Sequence, residues 1–223
     1  MHWISKNMTD LHLESLDKDR LEIFKQLRRF SSMGVLAGGT AIALQIGHRK
    51  SYDFDIFTHK PLEKGLFQKL KTGFGRGVLK TYESREQLNV TVGENVKVTF
   101  YYDGHGPSLD TIKTVGIDLL DLRDLASNKA LTLGGRGKWR DYVDIYFLIK
   151  ESWVTLGSVI EMAESRFGGE FSRTLFLEQL IYTDDLGKFE IEFLRNEVVP
   201  GEISAFFEEQ VKAYTQKQIL AET

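Results

Sequence analysis

Met33-Gly34-Val35-Leu36-Ala37-Gly38-Gly39-Thr40 is a short apolar run broken by two glycines and closed by a residue able to cap a helix. It reads as a buried strand, a glycine turn and then a short helix to about Ile46, with Thr40 at its start. Tyr52-Asp53-Phe54-Asp55-Ile56-Phe57 follows, alternating apolar residues with two aspartates. In a strand that alternation puts Tyr52, Phe54 and Ile56 on one face and Asp53 and Asp55 on the other. The second strand is expected beside the first, which returns both aspartates to the rim that holds the glycine turn.

Working outward, apolar residues at Leu16, Ile23, Phe24, Leu27 and Phe30 predict an amphipathic helix over 16–30. Pro61 is placed to open a helix to Lys71. Alternating segments at 78–82, 87–92 and 96–102 predict three strands, the last two joined across Gly93-Glu94-Asn95. A turn-rich Asp103-Gly104-His105-Gly106-Pro107 and a short segment at 112–117 come next. Helical patterning then runs to the end: 118–133 and 139–149, split by Gly134-Gly135-Arg136-Gly137, then 156–167, 171–182 and 203–216. The expected class is α+β: a mixed sheet with flanking helices over residues 1–117, then a helical region over 118–223 completing the cleft.

The totals narrow the chemistry. With 223 residues, 42% of them hydrophobic and 12% aromatic, the chain can bury a normal core. The absence of cysteine excludes disulfides, thiolate metal sites and cysteine nucleophiles, so a metal must rest on oxygen or imidazole ligands. A formal charge of −3 supplies no global attraction to nucleic acid. No apolar run nears the roughly 20 residues of a membrane helix, and Met1-His2-Trp3-Ile4-Ser5-Lys6 lacks a signal core, so a cytoplasmic protein with no membrane association is expected.

Two aspartates two residues apart on one strand face repel unless a cation lies between them. Mg²⁺, which takes one or two carboxylates plus substrate phosphates, suits such a pair; Mn²⁺ would serve as well. An isolated Asp-x-Asp is more often an incidental exposed edge. Gly38 and Gly39 alter the balance, because glycine lets backbone approach a triphosphate and a helix start favours anions.

Leu36-Ala37-Gly38-Gly39-Thr40-Ala41 and Gly47-His48-Arg49-Lys50-Ser51-Tyr52-Asp53-Phe54-Asp55-Ile56-Phe57 resemble the AbiEii/AbiGii toxins of type IV toxin–antitoxin and abortive-infection systems, distant members of the DNA polymerase β nucleotidyltransferase superfamily. The likeness continues through Asp124-Leu125-Ala126-Ser127-Asn128-Lys129-Ala130, Arg136 and Arg140-Asp141-Tyr142-Val143-Asp144-Ile145-Tyr146-Phe147-Leu148. The resemblance implies a polymerase β-like nucleotidyltransferase core, with metal on Asp53 and Asp55, the NTP triphosphate near Gly38, Gly39 and Thr40, Lys129 on phosphate and Asp141 as the later acidic residue. It implies transfer of a nucleotidyl group to a hydroxyl of RNA, tRNA included, or of protein, with pyrophosphate release and a cognate antitoxin as partner.

Plainer accounts stand beside these. Arg140, Asp141 and Asp144 can form a salt-bridged helix face, Lys129 and Arg136 can be solvated, and His48 and Arg49 can simply hold the loop before the acidic strand. His105 suits a structural turn. The superfamily commonly carries a third carboxylate on a neighbouring strand, where this sequence offers Lys97 and Thr99. Either another acidic residue such as Asp141 serves, or the chain is a non-catalytic nucleotide-binding module. An Asp-x-Asp glycosyltransferase is disfavoured by the short Gly-Gly-Thr spacing.

Overall fold

The computed structural model describes residues 11–75, 77–102 and 104–221; the opening segment Met1 to Lys6 and Asp103 lie outside them. The chain divides into two compact units, parting between Asp121 and Leu122.

The first unit contains α1 (Lys18–Leu27), β1 (Gly34–Ala37), α2 (Gly38–Ile46), β2 (Phe54–Thr58), α3 (Leu66–Phe74), β3 (Leu79–Glu83), β4 (Gln87–Val92) and β5 (Val96–Tyr101). The strands form one sheet in the order β1-β2-β5-β4-β3, with β2 and β5 parallel and every other pair antiparallel. The expected mixed sheet is therefore present. One face is apolar: Phe54, Ile56, Leu88, Val90, Val98 and Phe100 are almost wholly buried. Phe24 of α1 stacks on Phe54 with centroids 6.5 Å apart, and Phe30 meets Phe100 edge-on at 5.9 Å.

Asp17 begins α1, its carboxylate accepting from the Arg20 backbone N–H at 2.9 Å. That bond holds the Asp17 carboxyl below its usual range, against a smaller opposing effect of burial. Because the folded form is the more acidic, the cap's contribution is complete above the ordinary carboxylate pKa and fades as pH falls through the lowered one. Asp17→Ala is expected to cost about 1 kcal/mol near neutral pH, with the deficit shrinking in urea titrations run at progressively lower pH.

Several boundaries differ from the sequence expectation. The first helix ends at Leu27 and tightens into a 3-10 turn, Arg28–Phe30. Pro61 does not open a helix; α3 starts at Leu66 after Gly65. Residues 118–120 are extended rather than helical. The Leu36 N–H donates to the Asp118 carbonyl at 2.8 Å and the Leu120 N–H to the Leu36 carbonyl at 3.0 Å, so this stretch runs along the outer edge of β1.

The second unit is helical: α4 (Leu122–Arg136), α5 (Trp139–Lys150), α6 (Leu156–Phe167), α7 (Arg173–Ile181) and α8 (Pro200–Ala221). α5 is buried at every position from Tyr142 to Ile149, as suits a helix apolar nearly all round. Gly134 and Gly135 do not break the chain, since α4 continues to Arg136 and the interruption falls at Gly137 and Lys138. Pro200 occupies the first position of α8, where its missing N–H costs nothing. Among the described residues no helix is long and apolar enough to cross a membrane.

Candidate active site

β1 and β2 pair antiparallel with Ala37 opposite Asp55, so the strand that ends in the glycine turn lies against the strand that carries the acidic pair. Asp53 immediately precedes β2 and Asp55 lies within it; both are partly exposed.

Gly38, the first residue of α2, has φ +65°. A Cβ there would come 2.6 Å from Asp55 Oδ2. Glycine is thus needed twice, for the left-handed backbone and for room beside the carboxylate. The start of α2 has no side-chain cap, an arrangement that favours negative charge beside its first N–H groups. Gly38→Ala is expected to destabilise the protein by about 1–2 kcal/mol, and also to weaken NTP binding by displacing Asp55. Urea unfolding and equilibrium titration with a fluorescent NTP read the two effects separately.

Thr40 is not the helix cap that the sequence suggested. It is the third residue of α2, 3% exposed, and its hydroxyl donates to the Asp53 carbonyl. That bond uses the only Thr40 hydroxyl proton, so in the 2.7 Å contact with Ser51 the Ser51 hydroxyl is the donor. The chain Ser51 to Thr40 to Asp53 fastens the glycine turn to the entry of β2. His48 and Arg49 are buried, with Arg49 donating to the Lys50 carbonyl at 2.9 Å, which favours their loop-holding role.

Thr99 of β5 stands directly beside Asp55, at the neighbouring-strand position where a third carboxylate is expected. Among the described residues no group of three or more His, Cys, Asp or Glu is placed to hold a metal. Two hard oxygen donors on the rim still fit Mg²⁺ or Mn²⁺, which can complete their shell with water and substrate phosphates. A hollow of about 830 Å³ in the first unit, lined in part by Arg29, Met33, Lys64 and Lys69, involves none of these residues.

In the second unit Lys129 of α4 meets two carboxylates of α5, Asp141 Oδ1 at 2.6 Å and Asp144 Oδ2 at 2.8 Å. Asp141 Oδ2 also accepts from the Lys138 backbone N–H at 3.1 Å, so this aspartate starts α5 as well as orienting the ammonium. Asp144, fully buried, pairs with Lys129 and not in the exposed Arg140 ladder that helical spacing allowed. Arg136 closes α4; its side chain is outside the described set.

Sequence reasoning missed Arg166. Its Nη1 donates to the Asp124 carbonyl at 2.9 Å, Ser127 Oγ at 2.7 Å and Asn128 Oδ1 at 2.9 Å. This buried guanidinium fixes the turn of α4 that presents Lys129, and nothing local in the sequence marks a partner some forty positions away.

The sequence pattern described as nucleotidyl transferase AbiEii toxin, type IV toxin–antitoxin system, matches residues 24–222. The chain belongs to this family. AbiEii membership makes it a nucleotidyltransferase-toxin homologue across both units. A relative from Aquifex aeolicus, strain VF5, designated aq_aa25, is 27% identical over 217 residues, covering 92% of this chain and all of its own. JHP933 from Helicobacter pylori shares the fold with TM-score 0.51 at 15% identity, over 93% of this chain and 100% of that one. MenT4, a nucleotidyltransferase toxin from Mycobacterium tuberculosis H37Rv, does so with TM-score 0.57 at 13% identity, over 86% and 80%.

Proposed function

We propose that the protein transfers a nucleotidyl group from an NTP to a hydroxyl of RNA, tRNA included, or of protein, releasing pyrophosphate, and that it does so in the cytoplasm under the control of a cognate antitoxin. The observation that carries this reading is the Asp55 carboxylate lying against left-handed Gly38 at the start of α2, with Asp53 tied to the same turn through Thr40.

Gly38 and Gly39 receive the triphosphate, their half-buried backbone at a helix start, bare of side chains, favouring phosphate oxygens. Asp53 and Asp55 would hold Mg²⁺ or Mn²⁺, and a divalent cation there would supply Lewis-acid polarisation of the phosphates. The acceptor hydroxyl gives its proton to solvent water as its oxygen bonds to the α-phosphorus, and the bond from the α-phosphorus to the bridging oxygen breaks, so that pyrophosphate leaves. Lys129, oriented by Asp141 and Asp144, neutralises charge gathering on the phosphates. Thr40 acts by positioning Asp53, and Asp141 by positioning Lys129; neither is asked to exchange a proton with substrate.

A second reading, a nucleotide-binding module without turnover, is favoured by Thr99 beside Asp55, since a hydroxyl replaces the carboxylate that could take the acceptor proton. One assay separates the two. Purified protein is incubated with each α-labelled NTP, Mg²⁺ and bacterial RNA and protein extracts. Label appearing in one acceptor fraction supports transfer and names the acceptor; retention of NTP without label in either fraction supports the binding module.

A further inference from the structure

Cross-strand register arranges the second face of the sheet into three rows. Asp55, Thr99, Asn89 and Tyr82 form the middle row; Phe57, Tyr101 and Gln87 lie on one side of it, and Lys97, Thr91 and Leu79 on the other. Unlike the apolar face behind it, this face is accessible: Tyr82 is 52% and Leu79 66% exposed, Lys97 is exposed, and Phe57, Tyr101, Thr99, Asn89, Gln87 and Thr91 are half-buried. Phe57 and Tyr101 meet edge to face with centroids 5.8 Å apart. Gln87 Nε2 donates to Asn89 Oδ1 at 2.8 Å, which locks the two amides together. Between Lys80 and Tyr82 the β3–β4 register shifts, and it is past this irregularity that Tyr82 comes opposite Asn89.

We propose that this face is the docking platform for unpaired nucleotides of the acceptor strand, leading its terminal hydroxyl to Asp55. The proposal rests on Asp55 marking the transfer site only for its direction, and its binding test stands apart from catalysis. Aromatic faces interleaved with amides and one cation match what unpaired nucleotides require: surfaces for stacking, donors and acceptors for base edges, and a charge for phosphate. The middle row crosses three strand spacings, about 14 Å, the length of roughly four nucleotides at the 3.4 Å spacing of a stacked strand. The platform is continuous with the acidic rim, so an acceptor lying on it has one end at the site. Its surface chemistry consists of side chains on the sheet face; a protein acceptor pairing with the free edge of β3 would use none of them.

The test is fluorescence anisotropy with a labelled 12-nucleotide RNA, the same sequence as DNA, and the RNA annealed into a blunt duplex, against the full-length protein. Unpaired RNA should bind at least about tenfold more tightly than duplex, and Tyr82→Ala should weaken it about five- to tenfold, as loss of one stacked base implies. Tyr82 is an exposed edge residue, so this variant should fold and retain NTP affinity. Lys97→Ala should flatten the salt dependence by about 0.7 in log–log slope, the loss of one phosphate contact. Equal binding of unpaired DNA would retain the platform and assign its affinity to base stacking, whereas a preference for RNA would add contact with the 2′-hydroxyl. Equal affinities of wild type and Tyr82→Ala for unpaired RNA, or of single strand and duplex, overturn the platform. So does label transfer to protein by an enzyme that binds no RNA, an outcome that leaves nucleotidyl transfer itself intact.

Discussion

Replacing Asp53 and Asp55 together by asparagine is expected to lower nucleotidyl transfer by at least about a thousandfold, because a metal-assisted step draws several kcal/mol from its ion and each 1.4 kcal/mol is tenfold in rate. Stability should change little. Both side chains sit on the rim, partly exposed, and asparagine keeps their shape beside Gly38. Removing two neighbouring like charges relieves repulsion, so unfolding free energies should stay within about 0.5 kcal/mol of the wild type, as for ordinary surface substitutions. Single-turnover rates with saturating NTP, read beside urea melts, separate loss of chemistry from loss of fold. A variant retaining more than about a tenth of the wild-type rate would mean that the aspartates do not serve the metal.

The second large effect is on the helical unit. Lys129→Met removes the ammonium that Asp144, fully buried, and Asp141, with a side chain 14% exposed, both contact. Breaking a buried ion pair from one side costs about 3–5 kcal/mol, since the orphaned charge remains. The double variant Lys129→Met/Asp144→Leu should recover most of that loss by removing the buried charge with its partner, a non-additivity expected of residues in contact. It should nevertheless remain unable to transfer, because Lys129 is also the group assigned to the phosphates. Stability recovered together with activity would reduce Lys129 to a structural cation. A single Lys129→Met variant as stable as the wild type would contradict the buried triad itself.

The core of the fold was legible where the signal is local. The apolar run, the Gly38-Gly39 break and the alternation around Asp53 and Asp55 fix β1, α2 and β2 within a few residues. Features that depend on distant partners were not legible. Thr40 looks like a cap until Ser51 and the Asp53 carbonyl are brought to it. Residues 118–120 resemble a helix start, with acidic residues before a leucine-rich run, yet Leu119 exchanges backbone hydrogen bonds with Ile112 and the stretch continues along β1. Gly134 and Gly135 read as a break because glycine costs about 1 kcal/mol in a helix; α4 carries them because α5, α6 and α7 pack around it. Likewise, the sequence shows no interleaved aromatics on a basic strand. Only cross-strand register brings Tyr82, Tyr101 and Phe57 onto one face with Asp55.

In the proposed reaction this site breaks the bond between the α- and β-phosphates of an NTP and leaves the nucleotidyl group on an acceptor hydroxyl. The most direct measurement uses the same NTP labelled in parallel at the α- and the γ-phosphate, incubated with Mg²⁺ and the acceptor fraction, with acceptor and released phosphates separated. Nucleotidyl transfer puts α-label in the acceptor and an equal amount of γ-label in pyrophosphate, both lost in the Asp53→Asn/Asp55→Asn variant. Label from the γ-position in the acceptor would mean phosphoryl transfer instead, and α-label incorporation surviving that variant would place the chemistry somewhere other than the acidic rim.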